Sequence, residues 1–303
     1  MNTSKKHLIV IVGPTAIGKT AFSIKLAQLF NTEIISADSR QFFKEMSIGT
    51  AKPNPEELSQ APHHFIGTIS INDFYSAGKF EKNALAVIEE KFKTHEVLIL
   101  VGGSGLYINA VCNGIDDIPS DENIKNKLLE QQKKDGLEPL LNQLKQLDES
   151  YYNEVDKNNP SRIIRALEVC LASGKPYSSF RESVKKERPF NIIKIGLDGA
   201  RDNIYNNINQ RVDNMMREGL LEEAKALYPF KHLNALQTVG YSELFDYFDE
   251  KISLEEAIQL IKQNTRRYAK RQLTWFKKDE DVKWFDFNNV ALAESYALSC
   301  LHS

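Results

Sequence analysis

Cysteine is scarce in this chain. Three occur in 303 residues, Cys112, Cys170 and Cys300, and no two form a C-x-x-C pair. That argues against a disulfide scaffold and a cysteine-built zinc site, and fits inert thiols in a reducing cytoplasm. Long apolar runs are missing too. Nothing reaches the roughly 18 residues that a membrane-spanning helix needs. The opening MNTSKKHLIVIVGP sets lysines before a short apolar run, yet that run enters a glycine loop with no small-residue cleavage site. It reads as a strand, not a signal peptide. Excess charge of one sign is also absent: 39 basic against 41 acidic residues leave −2, so any nucleic-acid surface must be local. No internal repeat or low-complexity tract is evident. What remains is ordinary for a globular protein, 42% hydrophobic and 26% charged. The length allows one large domain or two smaller ones.

The run His7–Val12 (HLIVIV) is apolar and rich in β-branched residues, as suits a parallel strand buried on both faces. It ends in GPTAIGKT, the residues Gly13, Pro14, Thr15, Ala16, Ile17, Gly18, Lys19 and Thr20, which match G-x-x-x-x-G-K-[ST]. The AFSIKLAQLF that follows has helical spacing. Strand, glycine loop and helix together make a phosphate cradle. Glycines let backbone N–H groups converge, and the helix N-terminus adds partial positive charge. Lys19 would neutralise phosphate oxygens and Thr20 would hold Mg²⁺ or a phosphate. A cradle of this kind leaves the chemistry open.

Thr32–Ser36 reads as a second strand, and Val97–Val101 as a third before the glycine turn 102–105; between them a helix is expected over Lys79–Phe92. Asp38 lies just past the second strand, and Ser104 lies inside the turn. In a parallel sheet both fall at the carboxyl edge beside the cradle. Taken alone, Asp38 reads as a turn cap. His63-His64 has no further spaced ligand and reads as a polar loop rather than a metal pair.

The segments GPTAIGKT, SADSRQFFKEMSIGTAKP, PHHF, VGGSGLY, NNPSRIIRALEV, YNNINQRVDNMMREGLLEEA, QTVGYSEL and NTRRYAKRQLTWFKK resemble the tRNA dimethylallyltransferase family, in the same order, from about residue 7 to residue 278. The resemblance implies an α/β fold: a P-loop NTPase-like parallel sheet flanked by helices, with an inserted all-helical domain. It implies transfer of a dimethylallyl group from dimethylallyl diphosphate to N6 of the adenosine 3′ of the anticodon, in tRNAs reading codons that begin with U. It implies Mg²⁺ as cofactor; a cytoplasmic location follows the inert-thiol reading, no membrane partner follows from the missing apolar run, and a monomer is the default expectation. Asp38 is implied as general base, Ser104 and Arg211 as catalytic neighbours, and the cradle as diphosphate site with Thr20 on Mg²⁺. Contacts to tRNA are implied for Asp38, Ser39, Arg40, Gln41, Ser104, Lys125, Arg162, Arg165, Arg267, Lys270 and Arg271. Ser104 stands where the family usually has threonine, Lys125 where arginine is usual, and Phe42-Phe43 where Val-Tyr is common. An arginine such as Arg211 on an amphipathic helix can also be merely exposed.

Composition shifts to polar and helical between Pro119 and Pro189. The expected organisation is a core of residues 1–118 and 190–303 around a helical insertion, 119–189, which the family resemblance implies closes on the anticodon stem-loop. The core resumes with a strand-like run, Asn191–Gly199. Asn264–Lys278 contains no acid and interleaves six basic residues with Tyr268, Trp275 and Phe276. Its basic face is expected to meet phosphates and its aromatics to join the core. Three other functions share parts of this pattern. An adenylate isopentenyltransferase would need no stem-loop clamp. A P-loop kinase or ATPase would carry an acid after Val97–Val101, where Gly102-Gly103 stands. A non-catalytic RNA binder would have lost Lys19 or Asp38.

Overall fold

The structure is a computed structural model that describes residues 5–116, 118–181 and 185–301. The alternating burial of one strand explains its layers. In β1 (His7–Val12), Ile9 and Ile11 join one core while Leu8, Val10 and Val12 join another. Successive side chains leave opposite faces of a strand, so an all-apolar run serves two cores at once. Leu8, Ile9, Val10 and Ile11 are fully buried, each worth about 1.5–3 kcal/mol.

In chain order the first part continues as α1 (Lys19–Leu29), β2 (Ile34–Ser36), α2 (Pro55–Gln60), β3 (His63–His64), α3 (Ala77–Lys91), β4 (Val97–Val101) and α4 (Gly105–Asn113). Then come α5 (Glu122–Asp135), α6 (Glu138–Leu147), α7 (Glu149–Glu154) and α8 (Pro160–Ser173). The last part is β5 (Asn191–Asp198), α9 (Arg201–Arg217), α10 (Leu220–Leu227), α11 (Tyr241–Phe248), α12 (Leu254–Phe276), β6 (Val282–Asp286) and α13 (Val290–Leu301). The six strands form one parallel sheet in the order β3-β2-β4-β1-β5-β6. Phe22 and Leu26 of α1, Ile204 and Ile208 of α9, and Ala293 of α13 cover one face. Phe80, Ala84 and Ile88 of α3 with Ile108 and Val111 of α4 cover the other. A third core, with Met46, Leu220, Tyr241, Leu244 and Ile261, joins α10, α11 and α12.

Three expectations shift, and one strand was not foreseen. The second strand starts at Ile34, not Thr32, because the Thr32 N–H turns back to Ala27 O at the end of α1 and its hydroxyl bonds Val97 O. His63-His64 is a short edge strand rather than a loop, pairing with Ile34 and Ile35. His64 Nε2 meets Glu33 Oε2 at 2.6 Å, and no cluster suited to a metal ion exists among the described residues. The helix placed at Lys79 begins at Ala77, with the Ser76 hydroxyl accepting the Lys79 N–H. β6, an edge strand with half-exposed positions, had no apolar run to announce it.

The chain divides into two compact units, Met1–Cys112 with Glu187–Ser303, and Asn113–Lys186. The second is helical, with a core of Leu128, Leu140, Leu144, Ile163, Ile164 and Leu167. Part of its SSFRESVKKERPF stretch, residues 182–184, lies outside the described residues. Buried Asp148 caps α7 through the Tyr151 N–H and accepts both the N–H and the hydroxyl of Ser178. No helix among the described residues is long and apolar enough to cross a membrane.

Candidate active site

At the carboxyl end of β1 the chain must turn over β5. A Cβ on Gly13 would lie 2.5 Å from Leu197 O, so only glycine fits that crossing. Gly18 has open space around it but φ of 91°, so backbone conformation is what requires glycine there. Lys19 then opens α1 and folds back, donating to Gly13 O at 2.9 Å and Pro14 O at 2.7 Å. The surrounding protein desolvates this ammonium and Arg211 repels it, which bring its pKa down to about 7 against a smaller pull from Asp38. Arg211, on α9, reaches the same loop with Nη1 3.2 Å from Thr15 Oγ1. Its own pKa is lowered by desolvation, so it is not merely an exposed arginine. Lys19 and Arg211 thus meet at the glycine loop where α1 begins, an arrangement that favours a multiply charged anion, whose arrival would restore the lysine's charge.

Asp38 lies beyond β2. Its Oδ1 accepts the Arg40 N–H at 3.0 Å, the cap expected of a turn aspartate. The glycine turn after β4 packs against it. A Cβ on Gly102 would meet Ala37 O at 2.5 Å, and one on Gly103 would lie 3.7 Å from Asp38 Oδ2. Ser104 Oγ accepts the Ser39 N–H and donates to Ser39 Oγ, both at 3.0 Å. It therefore holds the Asp38 turn from behind. Arg40 donates to Asn234 O at 3.1 Å.

A cavity of about 820 Å³ lies along this edge, lined by the cradle, Asp38, Gln41, Gly102, Gly103, Arg211, Tyr268 and Gln272. Its opposite wall is the GTAKP turn. Gln41 Nε2 donates to Ala51 O at 2.9 Å and Thr50 O at 3.2 Å, and Lys52 Nζ to Phe43 O at 2.7 Å. Phe42 and Phe43 are core residues, Phe42 within a ring cluster with Phe65, Tyr75, Phe80 and Tyr107.

Sequence reasoning missed two polar residues here. Glu223 of α10 accepts the N–H groups of Ser47, Ile48 and Gly49, each at 2.9 Å, and the Tyr241 hydroxyl at 2.6 Å. Gln272 of α12 is 6% exposed, accepts the Thr15 N–H at 2.8 Å and donates to Gly103 O at 2.9 Å. The signal for both was a polar residue in the apolar register of an amphipathic helix: Ala269, Gln272 and Phe276 share one face, as do Leu220, Glu223 and Leu227.

The outer face of α12 carries Arg267, Lys270 and Arg271, all exposed. Its aromatics do not all join the core. Phe276 does, Tyr268 is half-buried, and Trp275 is 48% exposed, with one edge of its indole packed on Gly105, where a Cβ would come within 2.2 Å. In the helical unit, Arg162 is exposed at the start of α8 and Lys125 lies on α5. Arg165 is committed locally, 3.0 Å from the buried Glu168 carboxylate and 3.2 Å from Ile118 O.

Comparison with known proteins places nearly the whole chain in one family. The family model described as IPP transferase matches residues 41–279. A tRNA dimethylallyltransferase of Christiangramia forsetii is 58% identical over 93% of this chain and 94% of its own length. That of Flavobacterium johnsoniae is 56% identical over 93% and 94%. Among solved structures, the tRNA isopentenylpyrophosphate transferase of Bacillus halodurans is 38% identical with a TM-score of 0.73, covering 98% of this chain and 97% of its own. A eukaryotic dimethylallyltransferase acting on tRNA is 28% identical with a TM-score of 0.81, covering 97% and 78%. With a phosphate cradle and an aspartate on one cavity, and with matches of this length and identity, the chain belongs to the IPP transferase family of tRNA dimethylallyltransferases.

Proposed function

We propose that the protein transfers a dimethylallyl group from dimethylallyl diphosphate to N6 of the adenosine 3′ of the anticodon, in tRNAs reading codons that begin with U. The observation that carries this reading is the meeting of the cradle, Lys19, Arg211 and Asp38 on one cavity. The allylic C–O bond breaks, the N6–C bond forms, the N6 proton passes to the Asp38 carboxylate, and diphosphate leaves. Adenine N6 is a weak nucleophile because its lone pair is delocalised into the ring. Proton removal in the transition state answers that and typically contributes about 10²–10⁴-fold. Charge developing on the diphosphate falls among the cradle N–H groups, Lys19 and Arg211, which are fixed before the reaction begins.

Mg²⁺ suits the residues present. Thr20 opens α1 beside Lys19 on the cavity wall, and a hard cation bound through substrate phosphate and water needs few protein ligands. When bound it would neutralise diphosphate oxygens. Flipping the adenosine out of the anticodon loop brings N6 to Asp38. Exposed Arg267, Lys270 and Arg271 on α12 and Arg162 on α8 supply cationic surface for tRNA phosphates. This reading places the protein in the cytoplasm with its tRNA substrate, acting as a monomer.

Acceptor competition tests the reading. The protein is incubated with Mg²⁺ and labelled dimethylallyl diphosphate, with unmodified tRNA and AMP in separate tubes, and labelled nucleosides are identified after digestion. Label on N6 of the adenosine beside the anticodon, and none on AMP, is expected. Label on AMP alone would make it a nucleotide prenylating enzyme and overturn the tRNA assignment.

A further inference from the structure

The two halves of the site come from distant loops. The donor side is the cradle, and the acceptor side is Asp38 with the glycine turn that packs on it. Gln272 touches both. Its carboxamide oxygen accepts from Thr15 N–H, and its nitrogen donates to Gly103 O, partners 257 and 169 residues away in sequence. Gly103 has no side chain because a Cβ would lie 2.3 Å from Gln272 Nε2. The partners also fix the orientation of the amide, since the reverse would face N–H with NH₂ and C=O with C=O.

We propose that Gln272 is a positioning residue that sets the distance between the diphosphate cradle and the Asp38 turn, and thereby the approach of N6 to the allylic carbon. This rests on the prenyl-transfer reading. It assigns Gln272 no contact with either substrate. A neutral group with one donor and one acceptor at fixed separation is what the gap requires. Leucine fills the space without either bond. An ionised glutamate faces Gly103 O with a second acceptor. A protonated glutamic acid, however, has O–H and C=O in the same places as the amide. Misplacement of reacting groups by about 1 Å can cost on the order of 10²-fold in rate, with little effect on the binding of either partner alone.

The test compares single-turnover transfer by wild type, Gln272→Leu and Gln272→Glu across pH, with the KM of each substrate. Gln272→Leu should lose roughly 10- to 100-fold in rate while both KM values stay within about threefold. The ratio of Gln272→Glu to wild-type rate should climb as pH falls and the buried carboxyl gains its proton. The cavity's other ionisable groups, Lys19, Asp38, Lys52, Glu57, His63, Arg211, Glu218 and Tyr268, are common to both proteins, so their own titration enters both rates and the ratio reads the new carboxyl. A ratio flat with pH, or a loss expressed in KM alone, would reduce Gln272 to a packing residue. Unimpaired rates in both variants would remove the assignment. Wild-type protein that transfers nothing would instead overturn the activity, and the positioning role with it.

Discussion

Replacing Glu223 by glutamine changes one oxygen to nitrogen and should nevertheless cost much of the stability of the larger unit. The carboxylate accepts three consecutive N–H groups, from Ser47, Ile48 and Gly49, and the Tyr241 hydroxyl, so all four partners are donors. An amide keeps one acceptor oxygen and turns an NH₂ toward two of those donors. Each charge-assisted bond is worth about 1.5–3 kcal/mol net, so two lost bonds total about 3–6 kcal/mol. The turn at Ser47 is exposed and can be rehydrated, which lowers the expected loss to about 2–4 kcal/mol. Both tryptophans, Trp275 and Trp284, lie in the unit of Met1–Cys112 with Glu187–Ser303, so their fluorescence reports that unit's unfolding. With a urea dependence of about 3 kcal/mol per molar, the midpoint should fall by about 1 M at unchanged slope. Tyr241→Phe removes one donor without reversing any and should cost only about 1 kcal/mol. A Glu223→Gln shift under about 0.3 M would mean that the turn holds itself and the carboxylate is incidental.

Asp38→Ala should abolish transfer while tRNA still binds in a filter assay; near-normal turnover would remove Asp38 as the base. Pyrophosphate binding should take up a proton through Lys19. Its pKa of about 7 in the free site lies below the ordinary 10.5, so it is largely neutral at about pH 8, and an anion beside it restores the charge. Calorimetry in buffers of different ionisation enthalpy should show close to one proton more for wild type than for Lys19→Met, and equal uptake would refute the shift. Between those two pKa values the native state holds fewer protons than the unfolded chain, so this lysine's contribution to stability rises with pH. Arg162→Ala should weaken tRNA binding and reduce its salt slope by about one. Arg165→Ala should chiefly lower the stability of the helical unit, because it leaves Glu168, 3% exposed, without its cation.

The cradle and its flanking strand were legible because each is local. Five consecutive apolar residues, Leu8 to Val12, need a strand buried on both faces, and the glycine pattern directly follows. Val97–Val101 was legible for the same reason. β6 was not, since an edge strand exposes half its residues and interrupts the apolar run. The meeting of Asp38, the cradle and Gly103 on one cavity followed from parallel topology alone. The packing of Trp275 on Gly105 did not, because it joins residues far apart in sequence and depends on the absent side chain of Gly105. Gln272 and Glu223 were hidden differently. Each is one polar residue on an amphipathic helix, with backbone partners more than 150 residues away, and no short-range pattern carries such a pairing.

The strand order also bears on the sequence of events during synthesis. β1 pairs with β4 on one side and β5 on the other, and the contiguous helical unit Asn113–Lys186 is made between those two neighbours. A growing chain therefore has β1 as a raw apolar edge until β5 leaves the ribosome, while the helical unit already has its whole core in hand. The cradle emerges long before Arg211 and Gln272, which brace it at Thr15. Chains truncated before α12 would carry the phosphate loop without the residue that ties it to Gly103. Such fragments are expected to be aggregation-prone and inactive.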